Sequence, residues 1–309
     1  ASEIGVWDYK PEDVVRKGRM GPGQMIALDL QTATLLETAD IDNLLKSRHP
    51  YKVWLKKGVK YLESDLIDSS LAAEPMDRKT LSVYRKMFNI TAEEREEIIR
   101  VLARDESEAV GSMGDDTPMP VLSHHVRNLY DYFRQQFAQV TNPPIDPLRE
   151  TIVMSLQTEI GPECNVFQPV ASHAQQVVLN SPVLSQRKLR QLMAMSDDGL
   201  TNAFIDLQYE PAEGLEAALK RVCREAEAAV RDGTTVLLLS DRYLVKGKIP
   251  IHALLATGAI HHHLVELGLR CKCNILVETG TARDPHHFAC LIGYGATGVY
   301  PYMAYQTLY

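Results

Sequence analysis

The chain has 309 residues, of which 45% are hydrophobic and 24% charged, with a formal net charge of -7 and a pI near 5.8. That composition can bury one large core or two smaller ones, and its acidic balance offers no attraction to phosphate backbones or anionic lipid, so nucleic acid and membrane are not expected partners. No apolar run approaches the roughly 20 residues of a bilayer span, and Ala1-Ser2-Glu3 does not begin a charged-then-apolar leader, which together predict a cytoplasmic protein.

Five cysteines, an odd number without framework spacing, predict free thiols in a reducing compartment. The opening lacks Met and runs directly into Ile4-Gly5-Val6-Trp7, the pattern expected of a fragment of a longer chain.

In chain order, residues 1–30 read as short strands and turns, with Gly18 and Gly21-Pro22-Gly23 ahead of the β-prone Gln24-Met25-Ile26-Ala27-Leu28, too little to fold alone. Residues 31–110 read as a helical linker and surface layer, and Thr91-Ala92-Glu93-Glu94 has the form of a capping box. A turn-rich loop, Gly111-Ser112-Met113-Gly114-Asp115-Asp116-Thr117-Pro118, then leads to an expected aromatic helix carrying Tyr130, Tyr132, Phe133 and Phe137 and ending by Pro143-Pro144.

After Asn180 apolar runs alternate with amphipathic stretches. Strands are expected at Ala203–Tyr209, Thr235–Ser240, Cys273–Glu278 and Thr297–Tyr300, with helices near 213–231, 251–268 and 284–292. Repeated β-α units imply a parallel sheet, and continuous apolar strands such as Val236-Leu237-Leu238-Leu239 imply burial on both faces. The expected class is therefore α/β, a partial or degenerate (β/α) barrel-like parallel sheet over 111–309, preceded by the helical linker.

Few residues in this pattern have the makings of a reaction centre. His261-His262-His263 lies near Cys271 and Cys273, but consecutive residues on a helix diverge by about 100 degrees, so no metal site is expected. Asp115-Asp116 reads as turn chemistry rather than a metal or acid-base pair, and Ser240-Asp241-Arg242 lacks a Gly-x-Ser-x-Gly elbow. Asp284 and Pro285 are placed to cap and start the last expected helix. The loop at that strand end, where barrel enzymes hold their reactive groups, makes Glu278, Thr279, Thr281, Arg283 and His286 the best-placed polar residues. Gly293, Gly295 and Gly298 read as capping and packing positions rather than a phosphate cradle.

Taken together, Gly111 to Pro118, the run from Tyr130-Asp131-Tyr132-Phe133-Arg134 through Asn142-Pro143-Pro144-Ile145-Asp146-Pro147 to Glu150, Ala282-Arg283-Asp284-Pro285-His286-His287-Phe288-Ala289 and Gly295-Ala296-Thr297 closely resemble the central domain of glutamate synthase. Residues 1–30, with Arg16-Lys17-Gly18-Arg19, resemble the end of that family's glutamine amidotransferase domain, and His49-Pro50-Tyr51 resembles the segment after it.

The resemblance implies a non-catalytic scaffold within a large subunit that hydrolyses glutamine, channels ammonia, and makes glutamate from 2-oxoglutarate on FMN. Electrons arrive through iron-sulfur clusters from NADPH and FAD or from ferredoxin. Its partners would be the amidotransferase and FMN synthase domains of the same chain, and a small subunit or ferredoxin. It implies no cofactor and no catalytic residue in this stretch, and it places Thr141 and Asn142 at the mouth of the ammonia tunnel, where small polar groups suit neutral ammonia. The alternative is a degenerate barrel module that binds a small anion or flavin at the strand ends between Glu278 and His286.

Overall fold

The computed structural model describes residues 5–62, 74–107, 109, 117–137, 144–195 and 199–309. The chain divides into two compact units, Ala1–Lys56 and Lys57–Tyr309.

In the first unit, β1 (Ile26–Asp29) and β2 (Thr34–Glu37) form an antiparallel hairpin. Asp29 Oδ1 closes the turn by accepting from the Gln31 and Thr32 amides, and Ala33 takes a left-handed φ of 52°. Glu37 then caps α1 (Thr38–Ser47) in a reciprocal box with Asp40, and α2 (Tyr51–Gly58) follows. No residue of β1, β2 or α1 is buried.

The second unit opens with β3 (Lys60–Tyr61), α3 (Arg78–Met87) and a π-helical turn, Glu94–Ile99, that runs into α4 (Arg100–Asp105). Thr91 Oγ1 does accept from the Glu94 amide at 3.1 Å, but the Glu94 carboxylate turns inward to the buried Arg283 instead of completing the box. After α5 (Pro147–Val153), β4 (Thr158–Ile160) and β5 (Val177–Leu179) join β3 in a small mixed sheet ordered β3-β5-β4.

The chain then continues as α6 (Gln186–Ala194), β6 (Asn202–Asp206), β7 (Gln208–Tyr209), α7 (Leu215–Arg231), β8 (Val236–Ser240), β9 (Ile249–Pro250), α8 (Ala253–Glu266), β10 (Asn274–Glu278), α9 (Pro285–Gly293), β11 (Gly298–Tyr300) and α10 (Tyr302–Leu308). β6, β8, β10 and β11 pair side by side and all parallel, as the β-α repeat predicts. A parallel bridge from Val183 to Val299 extends the β11 edge, and β7 pairs with β9 apart from this sheet.

Every residue of β8 and β10 is buried, and the side chains alternate between two cores as a pleated strand requires. Leu237, Leu239, Ile275, Val277 and Val299 meet the apolar stripe of α7 (Ala218, Val222, Ala226, Val230) and the α8 residues Leu254 and Ile260. Val236, Leu238, Leu276 and Tyr300 point the other way, onto Leu189 and Leu192 of α6, Phe88 beyond α3, and Met303 of α10.

Two expected elements differ. The run expected as one strand over Ala203–Tyr209 divides into β6 and β7, which pair in separate sheets. The aromatic stretch forms only a short 3-10 turn, Leu129–Tyr132, because Asn128 caps it, Tyr130 alone is drawn fully into the core, and Tyr132 and Phe137 are left exposed. Without a continuous apolar face a long helix has nothing to bury.

Leu239 lies at the centre of the sheet and is fully buried. Leu239→Ala is expected to lower the unfolding free energy by about 2–5 kcal/mol in urea denaturation, with the denaturant slope unchanged.

Candidate functional site

The carboxyl ends of β8, β10 and β11 gather the polar residues that the strand pattern singles out. Glu278 ends β10 with no exposed surface. Ser240 Oγ donates to its Oε2 at 2.7 Å, while Arg242 Nη1 at 3.0 Å and Arg190 Nη2 at 2.5 Å both donate to its Oε1. Arg242 also donates to Gln186 Oε1 at 2.7 Å, and its guanidinium lies 5.5–5.6 Å from the ring centres of Tyr243, Tyr300 and Tyr302. The carboxylate is thus both charge-paired and hydrogen-bonded, the condition under which a buried charge is tolerated.

A second cluster begins one residue on. Thr279 Oγ1 and the Gly280 amide donate to the two oxygens of Asp241, at 2.5 and 3.0 Å. The Thr279 and Thr281 hydroxyls are 2.9 Å apart, and the Tyr130 hydroxyl reaches Thr281 at 3.2 Å. Because Thr279 spends its proton on Asp241, the consistent polarity runs from Tyr130 through Thr281 and Thr279 to the carboxyl. Burial pushes Asp241 up to about 7, opposed by the hydrogen bonds from Thr279 and Gly280.

Arg283 is almost wholly buried and consumed internally: Nε donates to Glu94 Oε1 at 2.5 Å, and Nη1 to the carbonyls of Gly280, Thr281 and Phe88 at 3.0, 3.2 and 3.4 Å. Asp284 caps α9 by accepting from the His287 amide at 2.9 Å, with Pro285 in the first turn. His287 stacks on Tyr130 with ring centres 4.3 Å apart, and its Nδ1 accepts from the Arg283 amide. Burial holds both His287 and His252 neutral, His252 down to about 4. His286 stands apart from Glu278 and donates from Nε2 to the Tyr130 carbonyl at 3.1 Å.

Of the singled-out residues, Glu278, Thr279 and Arg283 therefore sit at one strand end but engage separate partners. Thr141, Asn142 and the Asp115-Asp116 pair lie outside the described residues. The three consecutive histidines also diverge: His261 accepts from Arg270, His262 lies edge-on to His261, and His263 meets Glu227. Arg190, Gln186, Tyr130 and Tyr300, all contributors to the cluster, lie 22 to 148 residues from Glu278 in sequence, and no local signal marks them.

Closing over the strand ends, Tyr84 donates to the Arg242 carbonyl at 2.6 Å, and Phe88 approaches Gly280 so closely that a Cβ there would fall 2.7 Å from its ring. The chemistry available is that of a sealed electrostatic lock. Glu278→Ala, which strands two guanidiniums, is expected to cost about 3–5 kcal/mol, and adding Arg190→Ala should recover part of the loss in a double-mutant cycle.

Asp241 yields a pH signature. Its folded value, about 7, lies above the ordinary carboxyl value of about 3.9, so its contribution to stability is full at low pH and falls as pH rises from about 4 to about 7. The two buried histidines act in the opposite sense, losing stability as pH drops below about 6.5. The difference in unfolding free energy between the parent and Asp241→Asn isolates the carboxyl. It should decline between pH 5 and 7.5 by on the order of 4 kcal/mol at most, and a flat difference would contradict the assignment.

Residues 83–309 match the glutamate synthase central domain, and residues 1–54 match class-II glutamine amidotransferases. The chain is 41% identical to the ferredoxin-dependent glutamate synthase, chloroplastic, of Oryza sativa over 99% of its own length and 19% of that protein's. It is 40% identical to ferredoxin-dependent glutamate synthase 2 of Synechocystis, and 36% identical to the large chain of the NADPH glutamate synthase of Bacillus subtilis, covering 99% of this chain and 20% of each relative. The chain thus spans about a fifth of these relatives. From Val83 to Tyr309 it belongs to the glutamate synthase central-domain family.

Proposed function

We propose that the chain is the central scaffold of a glutamate synthase large subunit, which makes glutamate from glutamine and 2-oxoglutarate. In this reading it joins a glutaminase domain, whose last part is residues 1–30, through the linker 31–110 to an FMN-bearing synthase domain. The observation that carries it is the closure of the strand ends: Glu278, Asp241, Thr279 and Arg283 spend their polar atoms on one another and on Ser240, Arg190, Arg242 and Glu94. A reaction centre needs polar groups aimed at a substrate, and these are aimed at each other.

The four parallel strands, extended at one edge by Val183, support a partial barrel that has given up its ligand site. A surface made for neighbouring domains is supported by the many apolar side chains left exposed between 121 and 170, among them Leu122, Val126, Leu148, Ile152 and Phe167. The parent would take electrons from NADPH and FAD or from ferredoxin through an iron-sulfur cluster, with a small subunit or ferredoxin as external partner. Thr141 and Asn142 are assigned to the wall of the ammonia path, and the five free thiols support a reducing, cytoplasmic setting.

Among the described residues no helix is long and apolar enough to cross a membrane. A flavin or small anion at the strand ends is not favoured, since the guanidiniums that would attract it are already neutralised.

The test is the visible absorbance of the purified chain, alone and titrated with FMN, with glutamine hydrolysis assayed on the same sample. A featureless spectrum, no flavin uptake and no hydrolysis are expected. A flavin band that Glu278→Gln or Arg242→Gln abolishes would overturn the scaffold reading.

A further inference from the structure

A cleft of about 860 Å³ opens on the second unit between α3, the turn after it and the end of α10, lined by none of the strand-end residues Glu278, Asp241, Thr279 and Arg283. Four cationic side chains, Arg78, Arg85, Lys86 and Arg95, line it, and its described lining residues include no Asp or Glu side chain. Among the described residues none of the four forms an ion pair, and the Arg85 Nε is buried without a hydrogen-bond partner. Among the described residues Arg85 is held only by donation from Nη2 to the Thr307 carbonyl at 3.4 Å. The floor between the cations is apolar, formed by Met76, Leu81 and the buried Ile90. Gln306, itself 2% exposed, fixes one wall by accepting from the Met76 amide at 2.7 Å and donating to the Glu74 carbonyl at 2.8 Å.

Helix electrostatics account for only half of this charge. Arg85 and Lys86 fall in the last turn of α3, where cations offset the helix dipole. Arg78, by contrast, is the first residue of α3, and Arg95 follows Thr91 at the start of the next helical stretch. Both are positions where the dipole disfavours positive charge. Burial together with the neighbouring Arg95 already pulls the Arg85 guanidinium below its ordinary value, the mark of cations held close without a counter-charge. A space of this volume is within the range of small-molecule sites, and guanidinium forks fit oxyanions in a bidentate manner.

We infer that this cleft is a binding site for a small organic oxyanion carrying at least two negative charges, gripped by Arg78, Arg85, Lys86 and Arg95 over an apolar floor. The inference is independent of the scaffold reading, since neither requires the other.

The experiment is calorimetric titration of the chain with inorganic pyrophosphate and, separately, with citrate, at low and at raised salt. Saturable one-to-one binding of at least one probe is expected, weakening with salt, and the preferred probe distinguishes a phosphate-bearing from a carboxylate-bearing ligand. The half-exposed Arg95 and the exposed Arg78 and Lys86 can be altered without opening a core, so Arg95→Gln, Arg78→Gln and Lys86→Gln should each weaken that binding by about tenfold with the melting temperature of the free chain unchanged. Arg224→Gln, on exposed α7, should leave binding as it is. Failure of both probes to bind, or binding indifferent to all three cleft substitutions, would overturn the proposal.

Discussion

Burying the Glu278 carboxylate is the constraint from which the rest of the sheet's carboxyl end follows. An ionised carboxylate removed from water costs several kcal/mol unless opposite charge and hydrogen bonds surround it. Here that company comes from two directions, Arg190 from α6 and Arg242 from the segment after β8, with Ser240 completing the second oxygen. Each partner in turn fixes another element: Gln186 is held by Arg242 and Tyr300, and Tyr84 of α3 closes over the Arg242 backbone. One charge thereby sets the positions of α3, α6 and the end of β11 relative to the strands.

The same logic repeats at Arg283, where a buried cation is matched by Glu94 and three carbonyls. A parallel sheet must be covered on both faces, and in most barrel-like folds the carboxyl ends are left open for chemistry. In this protein the layer containing α3 and the π-helical turn covers those ends as well. Polar side chains that would act on a substrate in an open barrel serve as internal counter-charges and hydrogen-bond partners. That use suits a body whose task is to hold its neighbours at a set separation, because every lock removes a degree of freedom and none awaits a ligand.

The Asp241 chain adds a subtler effect. Its hydroxyls run in one direction from Tyr130 to the carboxyl, and Tyr130 also stacks on His287 and carries the carbonyl that receives His286. Tyr130, together with Phe133 edge-on to Tyr294, therefore ties the 117–137 segment to α9 and the loop before it. With Tyr132 and Phe137 exposed, the attachment is that of a short turn rather than of a long packed helix.

What could be read from the residues alone was whatever depends on neighbours in the chain. The four strands and three intervening helices after residue 200, the Asp284-Pro285 start of α9 and the Thr91 cap all rest on period, propensity and capping, which act over a few residues. The motif runs that resemble glutamate synthase were legible for the same reason. Tertiary structure decided what those residues do. Arg190 and Glu278 lie 88 positions apart, and Glu94 and Arg283 lie 189 apart, so nothing local announces that each charge has its answer already inside the fold. Whether a buried polar residue works on a ligand or on its neighbours depends on which distant side chain folding brings within hydrogen-bond reach, and burial, not sequence distance, then sets the strength of the pairing.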